Sequence, residues 1–310
     1  MDIKLLGYFL RIVELGSINK AAIDLGMSQP TLSRNLALLE HEVGTDLLVR
    51  SRGGVRTTEA GKILRDQSRP LLRQFDLLRE QIGQKAQGNV TIGFPTALRS
   101  VLTRKFAERI LTRNLGIKVR VSETVSHMLR EQMDAGLLDM CIAPEDTSLN
   151  QEHRQRLLVR EPLVLAGGPR SGLSPDRPVR IRDLAGRKMI IPARPNLLRA
   201  KFEHEMARKG ATLDVAMETD TLALCLELSA TGLGYTVVPA SAMTNPVASG
   251  RVLWAPVEGL TLGWALYSNP MRNHSRAVRE CRKEILQILR ETAGGSGWSG
   301  AVAPREKDCV

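Results

Sequence analysis

The feature that most constrains the fold is the segment "GSINKAAIDLGMSQPTLSRNLALLE" at residues 16–40, where a proline interrupts an otherwise helical pattern. Leu32, Leu36 and Leu39 recur at helical spacing, which predicts one apolar stripe. A proline is tolerated in the first turn of a helix, because its missing N–H would have no partner there. We therefore expect a helix that begins immediately before Pro30.

The residues upstream predict a second, shorter helix. Ile18 to Leu25 keeps helical spacing and is followed by Gly26, which favours a helix end, while Ser28 suits the N-cap of the next helix. Two helices joined by about three residues are typical of a helix-turn-helix, whose second helix enters the DNA major groove. An ordinary helical hairpin is the alternative at this point.

The side chains on the face opposite the leucine stripe are short or able to form hydrogen bonds, apart from one arginine. Such a surface suits phosphate contacts by backbone N–H groups and base contacts by amide and hydroxyl groups. The candidate DNA-binding residues on this helix are Ser28, Gln29, Pro30, Thr31, Ser33 and Arg34.

Two short β-prone runs, Leu47–Val49 and Val55–Thr57, flank "SRGG" and predict a hairpin with a glycine turn. A basic hairpin beside a helix-turn-helix is a wing, and we add Arg50 and Arg52 to the DNA-binding candidates. The alternative is that these arginines are ordinary exposed charges.

A long helix is predicted from Thr58 to about Lys85, capped by Thr57 or Thr58 and bent at Pro70. About 28 residues at 1.5 Å each would span roughly 42 Å, and an apolar stripe on such a helix needs a partner. We expect a homodimer through this stripe. Its residues are Leu71, Phe75, Leu78 and Ile82.

After "QKAQGNV" the pattern changes to strands that alternate with helices, the first helix being Ala97–Leu111. This alternation predicts parallel sheets with helices on both faces. "TLGWALYSN" is interpreted as a returning strand, and the tail from residue 294 has the composition of a disordered linker.

The sequence of the first 61 residues resembles that of the LysR-type bacterial transcriptional regulators. The matching residues are Gly16, Ser17, Ala21, Ala22, Leu25, Ser28, Gln29, Pro30, Ser33, Leu39, Glu40, Gly44, Leu47, Arg50, Thr58, Ala60 and Gly61. Leu48 departs from the family, which usually has phenylalanine there. "AGLLDMCIA" and "ATGLGYTVVP" are similar to two further family segments.

The resemblance implies an α/β protein with an N-terminal winged helix-turn-helix, a long linker helix and a two-lobed effector domain like the type-2 periplasmic-binding fold. The expected division is 1–58 for the DNA-binding domain, 59–87 for the linker helix, 88–293 for the effector domain and 294–310 for a disordered tail, with lobe I at about 88–161 and 266–293 and lobe II at about 162–265. It also implies assembly of homodimers into a homotetramer on double-stranded promoter DNA.

A small-molecule effector is expected in the cleft between the lobes, since ligands of parallel sheets bind beyond the carboxyl ends of the strands. An anionic or polyhydroxy metabolite would suit the helix N-termini there. The candidates are Thr96, Ala97, Ser126, Arg194, Asn196 and Arg199, of which Thr96, Ser126 and Asn196 also have an ordinary role as helix caps.

Amino-acid composition by itself excludes few classes of protein. Only a minor part of the net charge of +11 falls within the first 88 residues, so bulk charge supports nucleic-acid binding weakly. No signal-peptide pattern or long apolar run is present, and we expect a cytoplasmic protein, nucleoid-associated on DNA, with no membrane partner.

The spacing of the cysteines and the absence of known catalytic motifs argue against other classes of function. Cys141, Cys225, Cys281 and Cys309 lack metal-ligand spacing, and reduced thiols are expected, with a redox pair as the alternative. We expect no metal, no cofactor and no enzymatic activity, because nucleophile, phosphate-binding and dinucleotide motifs are absent. An exported solute-binding protein, an enzyme and a sequence-neutral DNA-binding protein are the rival classes.

Overall fold

The computed structural model describes residues 2–51, 54–82, 88–113, 115–145, 154–244, 252–273, 275–293, 295 and 298–302. The chain divides into two compact units, the first comprising residues 1–85 and 134–137 and the second the remaining residues from 86 onwards.

The first unit begins with three helices, α1 (Ile3–Leu15), α2 (Ile18–Asp24) and α3 (Gln29–Val43). The Ser28 hydroxyl accepts a hydrogen bond from the Thr31 backbone N–H, so α3 is capped as expected and Pro30 lies in its first turn. Gly16 and Gly44 end α1 and α3 in the left-handed conformation, which glycine adopts without strain. The leucine stripe of α3 is buried in the core of the three helices.

The predicted wing is present as the antiparallel pair β1 (Leu48–Ser51) and β2 (Gly54–Thr57). Glu40 fixes the approach to the wing, because its carboxylate accepts from the backbone N–H groups of Leu47 at 2.9 Å and Leu48 at 3.2 Å. At Gly54 an added Cβ would lie 2.3 Å from the Gly16 carbonyl oxygen. The close passage of the wing past the end of α1 therefore requires glycine at residue 54.

The linker helix α4 runs from Glu59 to Ile82, with Pro70 inside it. Thr58 caps it, since its hydroxyl accepts from the Gly61 N–H at 3.0 Å. The Leu71 and Phe75 side chains are 49% and 39% exposed in the single chain, whereas the side chains of Leu78 and Ile82 lie outside the description.

The second unit contains a six-stranded sheet in the order β4-β3-β5-β10-β6-β9 and a two-stranded sheet of β7 and β8. The strands are β3 (Asn89–Pro95), β4 (Lys118–Thr124), β5 (Met140–Pro144), β6 (Arg154–Gly167), β7 (Lys188–Pro192), β8 (Asp214–Thr219), β9 (Thr236–Pro239) and β10 (Leu253–Ser268).

The expectation of parallel sheets was wrong for three of the five strand pairings described in the larger sheet. β3 pairs in parallel with β4 and β5, and β7 with β8, but β10 is antiparallel to both β5 and β6, and β6 is antiparallel to β9. The reason is that β6 and β10 are long strands of 14 and 16 residues that pair with each other. Their pairing across the sheet leaves no signal in local periodicity.

The helices of this unit are α5 (Arg104–Arg113), α6 (Ser126–Asp134), α7 (Leu197–Arg208), α8 (Leu222–Ala230) and α9 (Arg276–Thr292). The single helix expected over Ala97–Leu111 was wrong, because a 3-10 turn at Thr96–Leu98 and a π-helical turn at Arg99–Thr103 precede α5. Residues 101–103 are all buried, and a wider turn brings three consecutive side chains inward where a regular α-helix would expose one.

A buried ion pair fixes the start of this unit. Asp139 accepts from the Arg272 guanidinium at 2.8 Å and from the Thr91 backbone N–H at 2.7 Å, and both charged side chains are 1% exposed. Arg272 also donates to the Asn89 carbonyl oxygen. The aspartate of "AGLLDMCIA" therefore has a structural role in joining β3 to the segment before α9.

The expected disorder of the tail was wrong for residues 298–302. Trp298 is fully buried and its indole N–H donates to the Glu161 carboxylate at 2.9 Å, while Val302 exchanges two backbone hydrogen bonds with Arg160. A buried indole needs an acceptor, and Glu161 supplies it. Residues 298–302 are therefore anchored, although the tail has the composition of a linker.

Candidate functional site

The first candidate site is the outward face of α3. Gln29, Pro30, Thr31 and Arg34 are exposed there, and Ser33 is half-buried. The Gln29 amide donates to the Ser33 hydroxyl at 2.8 Å, and the hydroxyls of Ser28 and Thr31 are 2.7 Å apart. The structure therefore brings the predicted residues of this helix together on one surface at its N-terminal end.

Arg34 is the cation of that surface. It lies opposite the buried leucine stripe, and within the described ranges it has no hydrogen bond or ion pair to another side chain. An exposed arginine without an internal partner retains its full set of donors for a phosphate or a base edge.

The wing is described only in part. Arg56 on β2 is exposed, whereas Arg52 and the side chain of Arg50 lie outside the described residues. The contribution of these two predicted arginines stays a prediction.

The second candidate site is a cleft in the second unit, at the carboxyl ends of its parallel strands. Its central cavity is lined by residues that follow β3, β4, β7 and β8 and by the floor residues Leu262 and Trp264 of β10. A second cavity of about 680 Å³ shares Ser126 and Asn196 with it, and a third of about 310 Å³ shares Thr96.

Most of the predicted effector residues meet in this cleft. Thr96, Ala97, Ser126 and Asn196 line the central cavity, and Arg194 lines the larger one. The Asn196 side chain also caps α7 by accepting from the Arg199 N–H at 3.1 Å.

Arg199 does not offer the free positive charge that the sequence predicted. Its guanidinium is turned inward, 6% exposed, and is bound by Glu203 and Glu218 at 2.8 and 2.7 Å and by the Pro192 carbonyl oxygen. The same contact lowers the pKa of Glu218. Arg199 joins α7 to β7 and β8, and among the described cavities it lines none.

Among the cleft residues that sequence reasoning missed are His127, Arg130, Asp220 and Trp264. The Nδ1 atom of His127 is buried and has no hydrogen-bond partner in the described part of the chain. Asp220 directly follows Thr219, the last residue of β8, and His127 lies three residues after the end of β4, so the rule that located Thr96 and Asn196 could have found them. Trp264 gave no local signal, because long-range pairing places it on the cleft floor.

The thiols have no redox arrangement in the described structure. Cys141, Cys225 and Cys281 are buried and unpaired with one another, and burial raises the pKa of Cys225 to about 11 and that of Cys281 to about 12. The thiols of Cys225 and Cys281 therefore stay protonated at neutral pH. Cys309 lies outside the described residues.

The described residues contain neither a metal-binding cluster nor a helix that could span a membrane. No group of three or more histidine, cysteine, aspartate or glutamate side chains there is arranged to hold a metal ion. None of the helices in those ranges combines the length and apolarity that a membrane crossing requires.

A winged helix-turn-helix, a linker helix and a two-lobed α/β domain with a cleft define a DNA-binding regulator with an effector domain. The model for the bacterial regulatory helix-turn-helix protein, lysR family, matches residues 3–62, and the model for the LysR substrate binding domain matches residues 83–290. The chain belongs to the LysR family of DNA-binding transcriptional regulators, whose matched members are regulators and not enzymes.

Similar proteins agree with this assignment. The nitrogen assimilation regulatory protein nac of Klebsiella aerogenes is 31% identical over 294 residues, covering 93% of this chain and 95% of that protein. Full-length OxyR from Pseudomonas aeruginosa superposes with a TM-score of 0.71 at 19% identity, covering 98% and 99% of the two chains. Full-length CbnR, solved in complex with its target DNA, has a TM-score of 0.67 at 18% identity, covering 94% and 100%.

Proposed function

We propose that the N-terminal half of α3 contacts base edges in the major groove of promoter DNA. Ser28, Gln29 and Thr31 would supply hydroxyl, amide and backbone donors at the helix N-terminus, and Arg34 would supply a guanidinium. The support is geometric, since these groups share an exposed face while the opposite face is packed into the core. Pro30 and Ser33 complete the surface, and the wing arginines Arg50 and Arg52 would contact the adjacent backbone or minor groove.

The apolar stripe of α4, which comprises Leu71, Phe75, Leu78 and Ile82, is the proposed dimer contact. The exposed side chains of Leu71 and Phe75 lie one turn apart, as a seam between two copies of the helix would require. We propose a homodimer through this stripe, with Leu78 and Ile82 continuing it, and assembly of two dimers into a tetramer on DNA. The proposed domain limits remain 1–58, 59–87 and 88–293, with lobe I at about 88–161 and 266–293 and lobe II at about 162–265.

The cleft between the lobes is the proposed effector site, and the protein would act in the cytoplasm, nucleoid-associated when bound to DNA. The observation that carries this proposal is that Thr96, Ser126 and Asn196, from the two lobes, line one cavity. The ligand class is an anionic or polyhydroxy metabolite, with Arg194, an exposed residue that also donates to Glu203, as the counter-charge. The effector would change the arrangement of the bound dimers through its differential affinity for two states.

Thr96→Val tests the cleft. The substitution keeps the shape of the side chain and removes a hydroxyl from the cavity, so we expect weaker effector binding and unchanged operator affinity. Thr212→Val is the matched control, because Thr212 is exposed in a loop of the second lobe and lines none of the described cavities. Isothermal titration with the effector and an operator footprint measure the two properties separately. Equal effector affinity in both variants would remove Thr96 from the site.

A further inference from the structure

The buried carboxylate of Glu161 joins three parts of the second unit. It accepts hydrogen bonds from the indole N–H of Trp264, from the backbone N–H and hydroxyl of Ser241 at 2.6 and 2.9 Å, and from the indole N–H of Trp298 at 2.9 Å. Trp264 belongs to β10, Ser241 to the 3-10 turn that follows β9, and Trp298 to the tail. Glu161 is 1% exposed, so the loss of any one donor leaves a buried acceptor poorly satisfied.

Two of these donors belong to the walls of the effector cleft. Trp264 lines the central cavity. Ser241 lies between Pro239, which lines the same cavity, and Ala242, which lines the third one. Glu161 itself lines none of the described cavities. It is therefore a positioning residue, which acts on the cleft through the groups that it orients.

The third donor belongs to a segment that we call the strap, residues 298–302. The Val302 N–H donates to the Arg160 carbonyl oxygen at 2.8 Å, and the Arg160 N–H donates back to the Val302 carbonyl oxygen at 3.0 Å. An added Cβ on Gly300 would lie 2.9 Å from the Cγ atom of Pro162, and Gly300 has a left-handed φ of +69°. The strap therefore contacts β6 at the two residues that flank the buried carboxylate.

This part of β6 is where the six-stranded sheet changes neighbours. β10 pairs with β5 over residues 264–268, whereas β6 pairs with β9 over residues 163–166. The ladder between β6 and β10 has register shifts on both sides of residues 261–264. The proposed boundaries between the lobes also lie here, at about 161 and 265. An irregular ladder locally disrupts the pairing of the strands, so contacts with the strap matter most at this point.

We propose that the strap fixes the floor of the cleft through Glu161 and thereby controls how tightly a ligand binds there. With the strap in place, Glu161 holds Trp264 and the turn at Ser241 in the positions that form the central cavity. Release of the strap removes one donor from Glu161 and lets both groups move. By linkage, a ligand in the cleft stabilises the anchored strap by the same factor. The coupling of the strap to Trp264 is independent of the proposed function, whereas its effect on ligand affinity rests on it.

Two substitutions release the strap without altering Glu161 or the cleft. Gly300→Ala places a Cβ against Pro162 at a backbone conformation that alanine rarely adopts. Val302→Pro removes the N–H that donates to Arg160, and its side chain is 65% exposed, so the fold does not depend on it.

Each release variant has a matched control. Gly295→Ala adds a Cβ in the same tail at an ordinary contact distance, 3.6 Å from the Thr292 carbonyl oxygen. Val302→Ala shortens the side chain and keeps both backbone hydrogen bonds to β6.

Fluorine NMR of the full chain tests the coupling directly. The chain has three tryptophans, so labelling with 5-fluorotryptophan gives three resonances, which Trp→Phe substitutions assign. In the unaltered chain the resonances of Trp264 and Trp298 should be insensitive to exchange of H₂O for D₂O, because these side chains are 2% and 0% exposed. Both release variants should make both resonances solvent-sensitive and leave that of Trp254 unchanged. The two controls should change none of the three.

Two results would overturn the proposal. The first is a Trp298 resonance that becomes solvent-sensitive while the Trp264 resonance stays as it is in the unaltered chain, because the strap would then be released without any effect on the cleft. The second is a Trp298 resonance that neither release variant affects, because the contacts at Gly300 and Val302 would then not hold the strap.

The effect on ligand binding is measured by an operator footprint titrated with the small-molecule fraction of a cell extract. The amount of this fraction that gives half of the change in the footprint should rise about tenfold in the two release variants and by less than about twofold in the controls. Equal amounts in all variants would overturn the control of ligand affinity by the strap. A footprint that does not respond to the extract even with the unaltered chain would reject the proposed function of the cleft, while the fluorine resonances would still decide whether the strap fixes Trp264.

Discussion

Trp298→Phe tests whether the tail is an integral part of the second unit. The substitution keeps a buried ring but removes the indole N–H that donates to Glu161 at 2.9 Å. Glu161 is 1% exposed and also receives hydrogen bonds from Trp264 and from the backbone and hydroxyl of Ser241. Loss of a hydrogen bond to a buried charged group costs about 1.5–3 kcal/mol, and the smaller ring adds about 1 kcal/mol. We expect a total of about 2.5–4 kcal/mol.

Urea unfolding followed by tryptophan fluorescence measures this loss in the intact chain. All three tryptophans lie in the second unit, so the signal reports its unfolding alone. Trp254→Phe is the matched control, because Trp254 is partly exposed and has no indole hydrogen bond in the described structure, and it should cost less than about 1 kcal/mol. Truncation after Ala293 should cost at least as much as Trp298→Phe.

The loss should also depend on pH. Burial raises the pKa of Glu161, so this group favours folding most when it is protonated, and its contribution falls as the pH rises through the folded pKa. Removal of the Trp298 donor should raise that pKa further. The variant should therefore be more destabilised at neutral than at acidic pH. Equal stabilities for Trp298→Phe and Trp254→Phe, or a truncated chain as stable as the intact one, would refute the anchored tail.

Three further predictions concern the first unit. Arg34→Ala should weaken operator binding by about 1–3 kcal/mol in an electrophoretic or fluorescence titration, whereas Lys62→Ala, an equal charge change on α4, should not. Gly61→Ala should increase amide hydrogen exchange in this unit, since its Cβ would lie 2.0 Å from the Leu47 carbonyl oxygen, and Gly7→Ala, with open space around its Cβ, should decrease it. Phe75→Glu should convert the proposed dimer to monomers in sedimentation, and an unchanged oligomer would place the contact elsewhere.

The first unit was largely predictable because its signals are local. Each signal can be recognised from residues within one or two helical turns of it, as for Pro30, the leucine stripe and the glycines at helix ends. The structure places the helices and the wing hairpin accordingly. The rule that ligands bind beyond strand ends likewise located Thr96 and Asn196 in the cleft.

The features that sequence reasoning missed depend on partners distant in the chain. Trp298 is ordered by Glu161, which is 137 residues away, and Arg199 is turned inward partly by Glu218 on β8. The antiparallel course of β10 follows from its pairing with β6 and places Trp264 on the cleft floor. Composition and periodicity describe neighbours along the chain and contain none of these pairings.

The central claim is that a ligand in the cleft changes how this regulator lies on its operator. The most direct measurement is a nuclease footprint on the DNA beside its own gene, with and without the small-molecule fraction of a cell extract. Binding should persist in both conditions, while the length of the protected region or its pattern of hypersensitive bends should change, and Thr96→Val should suppress that change. A footprint that is identical in both conditions, or the absence of any protected site, would contradict the account.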